Sequence, residues 1–557
     1  MLALSSVRVA FSRSLAPSIV VLAGLGLAGL PSCGGDGHGD QAGSGGDAAS
    51  TGSGSGSAGS GLGGGGVGPD GGPLSDDGGG SGDDGGGIDP GGGDAAASAF
   101  GGLFRHGMND GHVNPNWTDD MGGWLGTQAG ADSNRMKLPE YFLDQWGVGI
   151  RTEAATSYAT NGMSNLVCFL IGPSDAHSTE PSGTTNSDDY IPRNLYEPIF
   201  QADGTANPNN YWARYVEETV TTYKPWVRIW EVWNEPDWTP NYATTQGWAS
   251  KAPTVADLPR FNGAIFDYVR MLRVTYAVAK KVDPTAQVAL GGIGYPTFLS
   301  AILRYTDNPA NGVASTDYPS MGGAYFDVLN FHYYPLYTPG NSDAAAAGMF
   351  SLKAQFAAEL AKANVTGKSW NATETGAPRY ALGTNPGGDD YAKNYLLKVM
   401  TQAQLEGMIG LDWFLLSDTA TPGGSQDPYA YMGLYLDIAS LTTMQSAVKS
   451  SLGVAYATLG KLLKGARVDA ARTAALALPA NVGGGAFQAA SGHTIVVLWA
   501  KASSGEAATA TYALSAGGAV TSYGWDYAST GTTSSLAVTA GRTTVALTST
   551  PQFFDVP

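Results

Sequence analysis

The chain has 557 residues, with 48 acidic and 30 basic side chains and a formal net charge of -18. This length exceeds one ordinary domain and allows a large hydrophobic core. The acidic balance argues against a nucleic acid partner, because phosphates attract clusters of lysine and arginine. Two cysteines are present, Cys33 and Cys168. Cys168 lies in the apolar run NLVCFLIG, so we expect a buried free thiol and not a disulfide.

Residues 1–33 have the pattern of an export signal. Arg8 and Arg13 precede the apolar run SIVVLAGLGLAGL, which is too short and glycine-rich for a membrane-spanning helix. The run ends in LPSC, which resembles a bacterial lipobox with Leu30 three residues before Cys33. The resemblance implies lipidation of Cys33 and an outer-membrane or cell-surface lipoprotein. Plain secretion after cleavage nearby is the alternative, and in both cases the protein is exported.

Residues 34–97 consist almost wholly of glycine, serine, aspartate and alanine. Such a segment has too little apolar surface to offset the entropy lost on ordering. We therefore predict a disordered, flexible linker that separates the export signal from a folded part beginning near residue 98.

From residue 98 onward, short apolar runs alternate with helical patterns. One such helix is indicated by apolar residues at three- and four-residue spacing from Phe261 to Tyr276, closed by Asp283 and Pro284. Near-continuous apolar strands that alternate with helices indicate a parallel sheet covered on both faces. The eight predicted strands are FGGLFRHGM (100–108), WGVGIRTEA (146–154), NLVCFLIG (165–172), VRIWEVWNEP (227–236), AQVALGGIG (286–294), FDVLNFHYYP (326–335), SWNATETG (369–376) and LDWFLLSD (411–418).

Eight strands predict an α/β fold, a (β/α)8 TIM barrel spanning residues 98–464. A doubly wound open sheet is the alternative, but no glycine-rich phosphate turn follows any strand. In a barrel, active sites lie at the carboxyl ends of the strands. Glu235 ends the fourth predicted strand and Glu374 ends the seventh. Two carboxylates that face one cleft are what cleavage of a glycosidic bond requires.

These residues carry a family resemblance. The sequences WNEP at 233–236 and TE at 373–374 resemble the large clan of retaining (β/α)8 glycoside hydrolases. In that clan the acid/base glutamate follows an asparagine at the end of the fourth strand, and the nucleophile ends the seventh. The stretch VRIWEVWNEPDW with a trailing small β domain is most similar to glycoside hydrolase family 39, the β-xylosidase and α-L-iduronidase group. The cellulase-like family 5 is the runner-up.

The resemblance implies a role for each residue of the pair. Glu235 is the expected acid/base, which carries a proton before the reaction, and Glu374 is the expected nucleophile. Asn234 is placed to bind the 2-hydroxyl of the sugar. By strand alternation Glu231 faces into the barrel, where a buried carboxylate needs a cation. Arg151, at the end of the second predicted strand, is the expected partner.

Further candidates follow the sixth and eighth strands. His332 and Tyr334 are two residues apart and share one face. The similar H-x-Y pattern of the clan implies that the hydroxyl of Tyr334 contacts the nucleophile, whereas His332 belongs either to the site or to the core. Trp413, on the eighth strand, is the expected aromatic platform under the sugar ring. Trp238 is a second ring for sugar binding.

No metal site is predicted. The histidines show no H-x-x-x-H spacing, and no paired-cysteine pattern exists. A G-x-S-x-G elbow is also missing from the sequence, which argues against a serine triad. The resemblance implies an enzyme that needs no cofactor. His106 and Asn109 follow the first strand and are further candidates for facing the cleft.

Residues 465–557 contain short β-type runs separated by glycine, serine and threonine turns. This spacing predicts an all-β sandwich domain. Its aromatic residues are few, and Trp499 lies in an apolar run. We therefore expect the domain to pack against the barrel as a support and not to read the substrate.

The sequence predicts a retaining glycoside hydrolase that cleaves polysaccharides or oligosaccharides by double displacement, with β-glycosidase or β-xylosidase-like activity. A family 5-like endo-β-glucanase is one alternative, and a catalytically silent carbohydrate-binding surface lipoprotein on the same fold is another. The presence of both Glu235 and Glu374 at matching strand ends favours the enzyme. A carbohydrate is the expected partner, and a membrane is expected only through the lipid anchor.

Overall fold

A computed structural model describes residues 102–109, 119–182, 184, 187–337 and 340–557. The predicted export signal, the lipidation site at Cys33 and the linker of residues 34–97 lie outside these ranges. Among the helices of the described residues, none combines the length and the hydrophobicity that crossing a membrane would need.

Eight parallel strands close into a barrel in which each strand pairs with the next along the chain. The strands are β1 Arg105–Met108, β2 Ser133–Lys137, β3 Leu166–Leu170, β4 Val227–Val232, β5 Gln287–Leu290, β6 Val328–Tyr333, β7 Ser369–Thr375 and β8 Gly410–Trp413. Closure comes from the pairing of β1 with β8, in a register that joins Arg105 to Gly410 and Met108 to Trp413. The fold class predicted from the sequence is therefore confirmed.

Helices surround the barrel and fill the connections between strands. They are α1 Asp119–Gln128, α2 Glu140–Trp146, α3 Thr152–Thr160, α4 Tyr211–Tyr223, α5 Tyr242–Gly247, α6 Ile265–Val282, α7 Pro296–Arg304, α8 Ser342–Lys362, α9 Asp389–Leu405 and α10 Ser451–Leu463. Helix α6 follows the predicted pattern, and the Asp267 carboxylate accepts a hydrogen bond from the Ala264 N–H at its start. Lys280 and Lys281 lie in its last turn, where positive charge complements the helix dipole.

Seven of the eight observed strands overlap predicted strands. The predicted second strand, at residues 146–154, is wrong. Residues 146–154 form the end of α2, a turn and the start of α3, with Trp146 47% and Ile150 39% exposed. The true second strand is the polar segment SNRMK. Its inward-facing positions, Ser133 and Arg135, are polar, so β2 lacks the apolar run by which the other strands are found.

The barrel interior combines a small apolar cluster with polar side chains. The apolar cluster consists of buried aliphatic residues: Val167, Ile229, Ala289, Val328 and Ile409. The polar or charged side chains that face inward include Arg135, Glu231 and Asp412, all buried. The main apolar core lies instead between the strands and the helices, where the free thiol of Cys168 and the ring of Trp230 are buried. Burial of this apolar surface stabilises the barrel.

The carboxyl-terminal region forms two antiparallel sheets. The strands of this region are β9 Arg467–Val468, β10 Val482–Gln488, β11 Thr494–Ala500, β12 Thr509–Ser515, β13 Val520–Tyr523, β14 Thr533–Leu536, β15 Arg542–Thr548 and β16 Gln552–Val556. Six of them form one sheet in the order β14-β13-β16-β11-β10-β9, and β12 pairs with β15. Strand β15 alternates strictly, with Thr543, Val545 and Leu547 buried and the residues between them exposed. Its buried side chains share one apolar cluster with those of the larger sheet, such as Val496 and Phe554, so the region is a β-sandwich.

The sandwich is joined to α8 and α9 of the barrel by polar contacts. Trp499 is buried, and its Nε1–H donates to Oδ1 of Asp343 at 2.9 Å. The other oxygen of Asp343 pairs with Lys398 at 2.7 Å. Glu506 accepts hydrogen bonds from Ser342 at 2.7 Å and from Asn394 at 2.8 Å. The domain packs against the barrel, as the sequence predicts.

Candidate active site

The end of β4 delivers Glu235 to the mouth of the barrel through a strained turn. The strand ends at Val232, and Trp233 and Glu235 then adopt positive φ angles of 74° and 48°. Residues other than glycine rarely occupy this region, so the turn has to be held by other contacts. The Glu235 N–H donates to the Gly291 carbonyl at 2.6 Å, and the Trp233 indole donates to the Arg260 carbonyl at 2.8 Å.

The two oxygens of the Glu235 carboxyl group have different surroundings. Oε1 lies 2.9 Å from Nδ1 of His332. Oε2 is buried and has no hydrogen-bond partner, and the nearest cation is Nη1 of Arg260 at 3.8 Å. Oε2 is therefore the oxygen that remains able to exchange a proton with a substrate.

Glu374, near the end of β7, has both oxygens occupied. Oε1 accepts from Nη1 of Arg135 at 2.5 Å, and Oε2 accepts from the hydroxyl of Tyr334 at 2.7 Å. Burial by itself raises the pKa of Glu374, but His332, Arg135 and Tyr334 together hold that pKa below its ordinary value. Glu374 is thus kept ionised and fixed in orientation.

The two carboxyl groups approach each other closely. One oxygen of Glu235, one oxygen of Glu374 and a ring nitrogen of His332 all lie within 4.8 Å of one another. Glu235 follows β4 and Glu374 lies on β7, so the strand positions are those that the sequence resemblance assigns. The arrangement places one carboxylate with a free oxygen beside one carboxylate that is fully hydrogen-bonded.

Arg135 organises the base of the site. Its Nε and Nη2 atoms bind the two oxygens of Glu231 at 2.9 and 2.8 Å, a bidentate pair that is fully buried. Nη2 also donates to Oδ1 of Asn234 at 2.6 Å. Because the amide oxygen of Asn234 is engaged in this way, its NH2 group is left to bind a ligand in the cleft.

The expected cation, Arg151, is not in the site. It is the N-cap residue of α3, and its backbone N–H donates to the hydroxyl of Tyr223. The prediction of Arg151 is wrong because it depends on a strand at residues 146–154, and those residues form no strand. The sequence signal for a strand near Arg135 is Pro139, since proline is typical of the position where a strand ends.

His332 belongs to the site and not to the core. Its Nδ1 faces Glu235 and lies 3.7 Å from Oε2 of Glu374. Its Nε2 lies 3.0 Å from Oγ1 of Thr373. Burial by itself lowers the pKa of His332, but the two glutamates raise it above its ordinary value. The ring requires a glycine at position 292, because a Cβ there would lie 2.1 Å from Nε2.

Neither candidate cation cluster is a clear metal site. At Glu235, His332 and Glu374, protonation of the histidine is favoured and Arg135 already binds Glu374. A second cluster, Glu140, Asp144 and His177, lies between α2 and the loop after β3. There the guanidinium of Arg214 contacts Glu140 at 3.0 Å and Asp144 at 3.6 Å, so a cation is already supplied.

No protein-family model matches the sequence, and no curated protein matches it. Solved structures do match. A family 39 glycoside hydrolase from Bacteroides cellulosilyticus WH2 is 17% identical, with 81% of each chain covered and a TM-score of 0.53. A family 30 endoxylanase from Clostridium papyrosolvens C71 is 15% identical, with 82% of this chain and 96% of that chain covered and a TM-score of 0.47. A glucosidase from Croceicoccus marinus is 13% identical, with 82% and 96% covered and a TM-score of 0.49.

The chain shares its (β/α)8 fold with the family 39 glycoside hydrolase. The similarity to the family 39 structure, which has the TM-score above 0.5, extends over barrel and sandwich together, since 81% of this chain is covered. The predicted resemblance to the retaining clan and to family 39 is thus matched at the level of the fold.

The aromatic rings at the mouth of the barrel differ from the predicted set. Trp413 is fully buried, its indole donates to the Met432 carbonyl at 2.8 Å, and its ring packs on Tyr395 of α9. It cannot be the platform under a sugar ring, because strand alternation turns it toward the helices. Phe414, the next residue, lies at the mouth instead, and the centroid of its ring is 5.8 Å from the centroid of the Tyr334 ring.

A cluster of apolar side chains at the mouth of the barrel, the mouth cluster, includes the tyrosine whose hydroxyl binds Glu374. Its members are Tyr334, Leu336, Phe414, Leu415, Tyr429 and Met432, with Trp238 packed against them. Trp238 is half-buried and packs against this cluster, and its sugar-binding role stays a prediction. Tyr334, Phe414 and Tyr429 are almost fully buried, whereas the more exposed Trp238 offers a flat apolar face.

The two candidates from the first strand and its end have different surroundings, since His106 lies within β1 and Asn109 follows it. Asn109 donates to the Thr373 carbonyl at 2.8 Å and accepts from Arg135 at 3.4 Å, so it supports the site. His106 is buried away from the cleft, edge-on to Phe104. Burial and, to a lesser degree, Lys464 lower the pKa of His106 to about 3, so it is a neutral core residue.

Proposed function

We propose that the protein is a glycoside hydrolase that cleaves carbohydrate with retention of configuration, with Glu374 as nucleophile and Glu235 as acid/base. The observation that carries this proposal is the asymmetric pair itself. Oxygens of the two carboxyl groups approach within 4.8 Å, and only Glu235 has an oxygen without a hydrogen-bond partner. Retaining enzymes hold their carboxyl groups about 5 to 5.5 Å apart, whereas inverting enzymes leave about 6.5 to 9.5 Å for a water molecule.

The first step forms a covalent intermediate. An oxygen of the Glu374 carboxylate bonds to the anomeric carbon, while the bond from that carbon to the leaving-group oxygen breaks. The proton on Oε2 of Glu235 moves to the departing oxygen. Asn234, whose amide oxygen is fixed by Arg135, can donate to the 2-hydroxyl as the charge on the sugar develops.

The second step releases the sugar. Glu235, now ionised, takes a proton from water, and the water oxygen bonds to the anomeric carbon as Glu374 departs. The pairing of Glu374 with Arg135 and Tyr334 stabilises the carboxylate that leaves. His332 lies against both carboxyl groups, so it can balance the charge that moves between them.

Within this reaction class we propose a β-glycosidase or β-xylosidase-like activity on oligosaccharides or polysaccharides. Support comes from the WNEP motif and from the similar fold of the family 39 glycoside hydrolase. An endo-acting β-glucanase is the alternative. The apolar run and LPSC motif of residues 1–33 support export and lipidation at Cys33.

A panel of aryl glycosides tests the proposal, with the configuration of the first-formed product followed by NMR. We expect cleavage with retention, lost in Glu235→Ala and Glu374→Ala. Glu153→Ala, which changes an exposed glutamate on α3, is the matched control and should behave as the parent. Sugar binding without cleavage of any glycoside would instead indicate a silent carbohydrate-binding protein, and an inverted product would refute the assigned roles.

A further inference from the structure

One arginine borders the proton-donating oxygen of the site. Arg260 lies in the segment between β4 and α6, and its Nη1 is 3.8 Å from Oε2 of Glu235. Its guanidinium also lies over the ring of Trp238, 4.6 Å from the centroid. The side chain of Arg260 is only 23% exposed, so the charge is held in the wall of the cleft.

The charge on Arg260 depends on Glu235 for compensation. Among the described residues, Glu235 is the only carboxylate within 4.0 Å of this guanidinium. Cleavage begins, however, with Glu235 protonated and therefore neutral. In that form Arg260 has no anionic partner, and a partly desolvated cation without a partner is unfavourable.

The position of Arg260 tells which part of a substrate it meets. Oε2 of Glu235 donates its proton to the leaving-group oxygen, so whatever borders Oε2 also borders the leaving group. The sugar that remains on the enzyme is held on the opposite side, near Glu374 and Asn234. The half-buried ring of Trp238 adds a flat surface beside Arg260, and its Nε1–H is buried without a partner.

We propose that Arg260 and Trp238 form the leaving-group subsite and that this subsite selects a sugar with an anionic substituent, a carboxylate or a sulfate. This inference rests on the proposed function and adds a substrate class to it. The anion restores the partner that Arg260 loses when Glu235 is protonated, while the sugar ring stacks on Trp238. A carboxylate fits especially well, because a guanidinium binds it through two parallel hydrogen bonds.

Hydrolysis of matched disaccharides tests the proposal, with the glycone that the aryl-glycoside panel identifies. The leaving sugar is a uronic acid, its methyl ester, or the neutral sugar with and without a 6-sulfate. We expect kcat/KM for the free acid to exceed that for the methyl ester about tenfold, with the difference shrinking as salt is added. Arg260→Gln should bring the ratio close to one. Arg542→Gln, an exposed change on the sandwich, should leave the ratio as it is.

A binding measurement separates this inference from the proposed function. Glu235→Gln mimics the protonated acid and leaves Arg260 unpaired without any catalysis. By calorimetry, glucuronate should bind this variant about tenfold more tightly than glucose, and adding Arg260→Gln should remove the difference. Glucose 6-sulfate in place of glucuronate shows which anion is preferred.

Two results would overturn the inference. One is equal cleavage of the acid and its methyl ester by the parent protein, and the other is glucuronate binding that does not change when Arg260 is replaced. If aryl glycosides are cleaved in either case, the proposed function stands without the anionic subsite. Selective binding of glucuronate with no cleavage of any glycoside would support the subsite and reject the hydrolase.

Discussion

Arg135 donates a hydrogen bond of 2.5 Å to Glu374, the nucleophile of the proposed reaction, while the same guanidinium holds Glu231 through two further bonds. One cation therefore serves two buried carboxylates on different strands. It lowers the pKa of Glu374, and it compensates a glutamate that has no access to solvent.

Replacing Arg135 should damage both activity and stability. We expect Arg135→Gln to lower kcat/KM roughly 100- to 1,000-fold, because one electrostatic contact to the nucleophile is lost. The free energy of unfolding should fall by about 3 to 5 kcal/mol, because the buried charge of Glu231 loses its partner. Arg151→Gln is the matched control and should keep the kcat/KM of the parent, because Arg151 is not in the site. A larger loss in Arg151→Gln than in Arg135→Gln would contradict the site described above.

The two glutamates should respond differently to an added nucleophile. Glu235→Ala should still react with aryl glycosides that have good leaving groups, since their departure needs little protonation, and the glycosyl-enzyme should accumulate. Azide needs no general base, so it should restore turnover and give a glycosyl azide of retained configuration. Glu374→Ala should form no covalent intermediate with any leaving group, as mass spectrometry of the intact protein can show. Near-normal turnover of Glu374→Ala would reverse the assignment.

Removing the hydroxyl of Tyr334 should move the pH profile. The Tyr334 hydroxyl is one of the groups that lower the pKa of Glu374, so Tyr334→Phe should raise that pKa. The nucleophile then becomes protonated at a higher pH as acid is added. We expect the acidic limb of kcat/KM to shift to higher pH, with a rate loss of roughly 10- to 100-fold at the optimum. An unchanged acidic limb would show that the hydroxyl does not act on the nucleophile.

Asp412 should make stability depend on pH. Burial raises the pKa of Asp412 to about 7, with Arg105 and Arg135 opposing the rise, against 3.8 for the ordinary side chain. Between about pH 4 and 7 the folded protein retains a proton that the unfolded chain has released. The stability that this group contributes therefore falls as pH rises through that window and stays low above it.

In Asp412→Asn the side chain at position 412 is uncharged at every pH. The variant should therefore lack this loss of stability with rising pH. Relative to the parent, the variant should be more stable at pH 8 than at pH 5, with a difference on the order of 2 kcal/mol in chemical denaturation. Asp175→Asn, a change of an exposed aspartate, should show no such difference. The prediction fails if the difference in the free energy of unfolding between Asp412→Asn and the parent is the same at both pH values.

Anchoring can be tested independently of catalysis. Cys33→Ser removes the thiol that lipidation requires, so the protein should move from the membrane fraction to the soluble one. Hydrolysis of soluble substrates should not change, because Cys33 is not one of the residues to which the proposed reaction assigns a role. Membrane association that survives the substitution would rule out the lipobox interpretation.

The sequence is most informative where burial is uniform. Seven strands are predictable because their outward faces pack against helices and form apolar runs, and strand order then gives the positions of the two glutamates. The second strand was missed for the opposite reason: its inward positions carry Ser133 and Arg135, the polar groups that the site uses. Where a strand contributes chemistry to the barrel interior, the apolar signal for that strand is weakest.

Side-chain direction at a strand end was the other limit. Trp413 and Phe414 are adjacent aromatic residues, and only the place where β8 stops pairing decides which of them faces the helices. Likewise, the need of Glu231 for a cation could be deduced from its burial, but the choice between Arg135 and Arg151 depended on a correct second strand. In both cases the predicted type of side chain is correct and its position in the sequence is wrong.

The contacts of Asp343 have a consequence for how this chain could be divided. Its carboxylate is shared by Lys398 of the barrel and by the buried indole of Trp499 in the sandwich. A cut after residue 464 would strip the indole from that carboxylate and expose the face of α8 and α9 to water. The sandwich is therefore no detachable appendage, and exchanging it for an unrelated module would require a new residue to fill the place of Trp499.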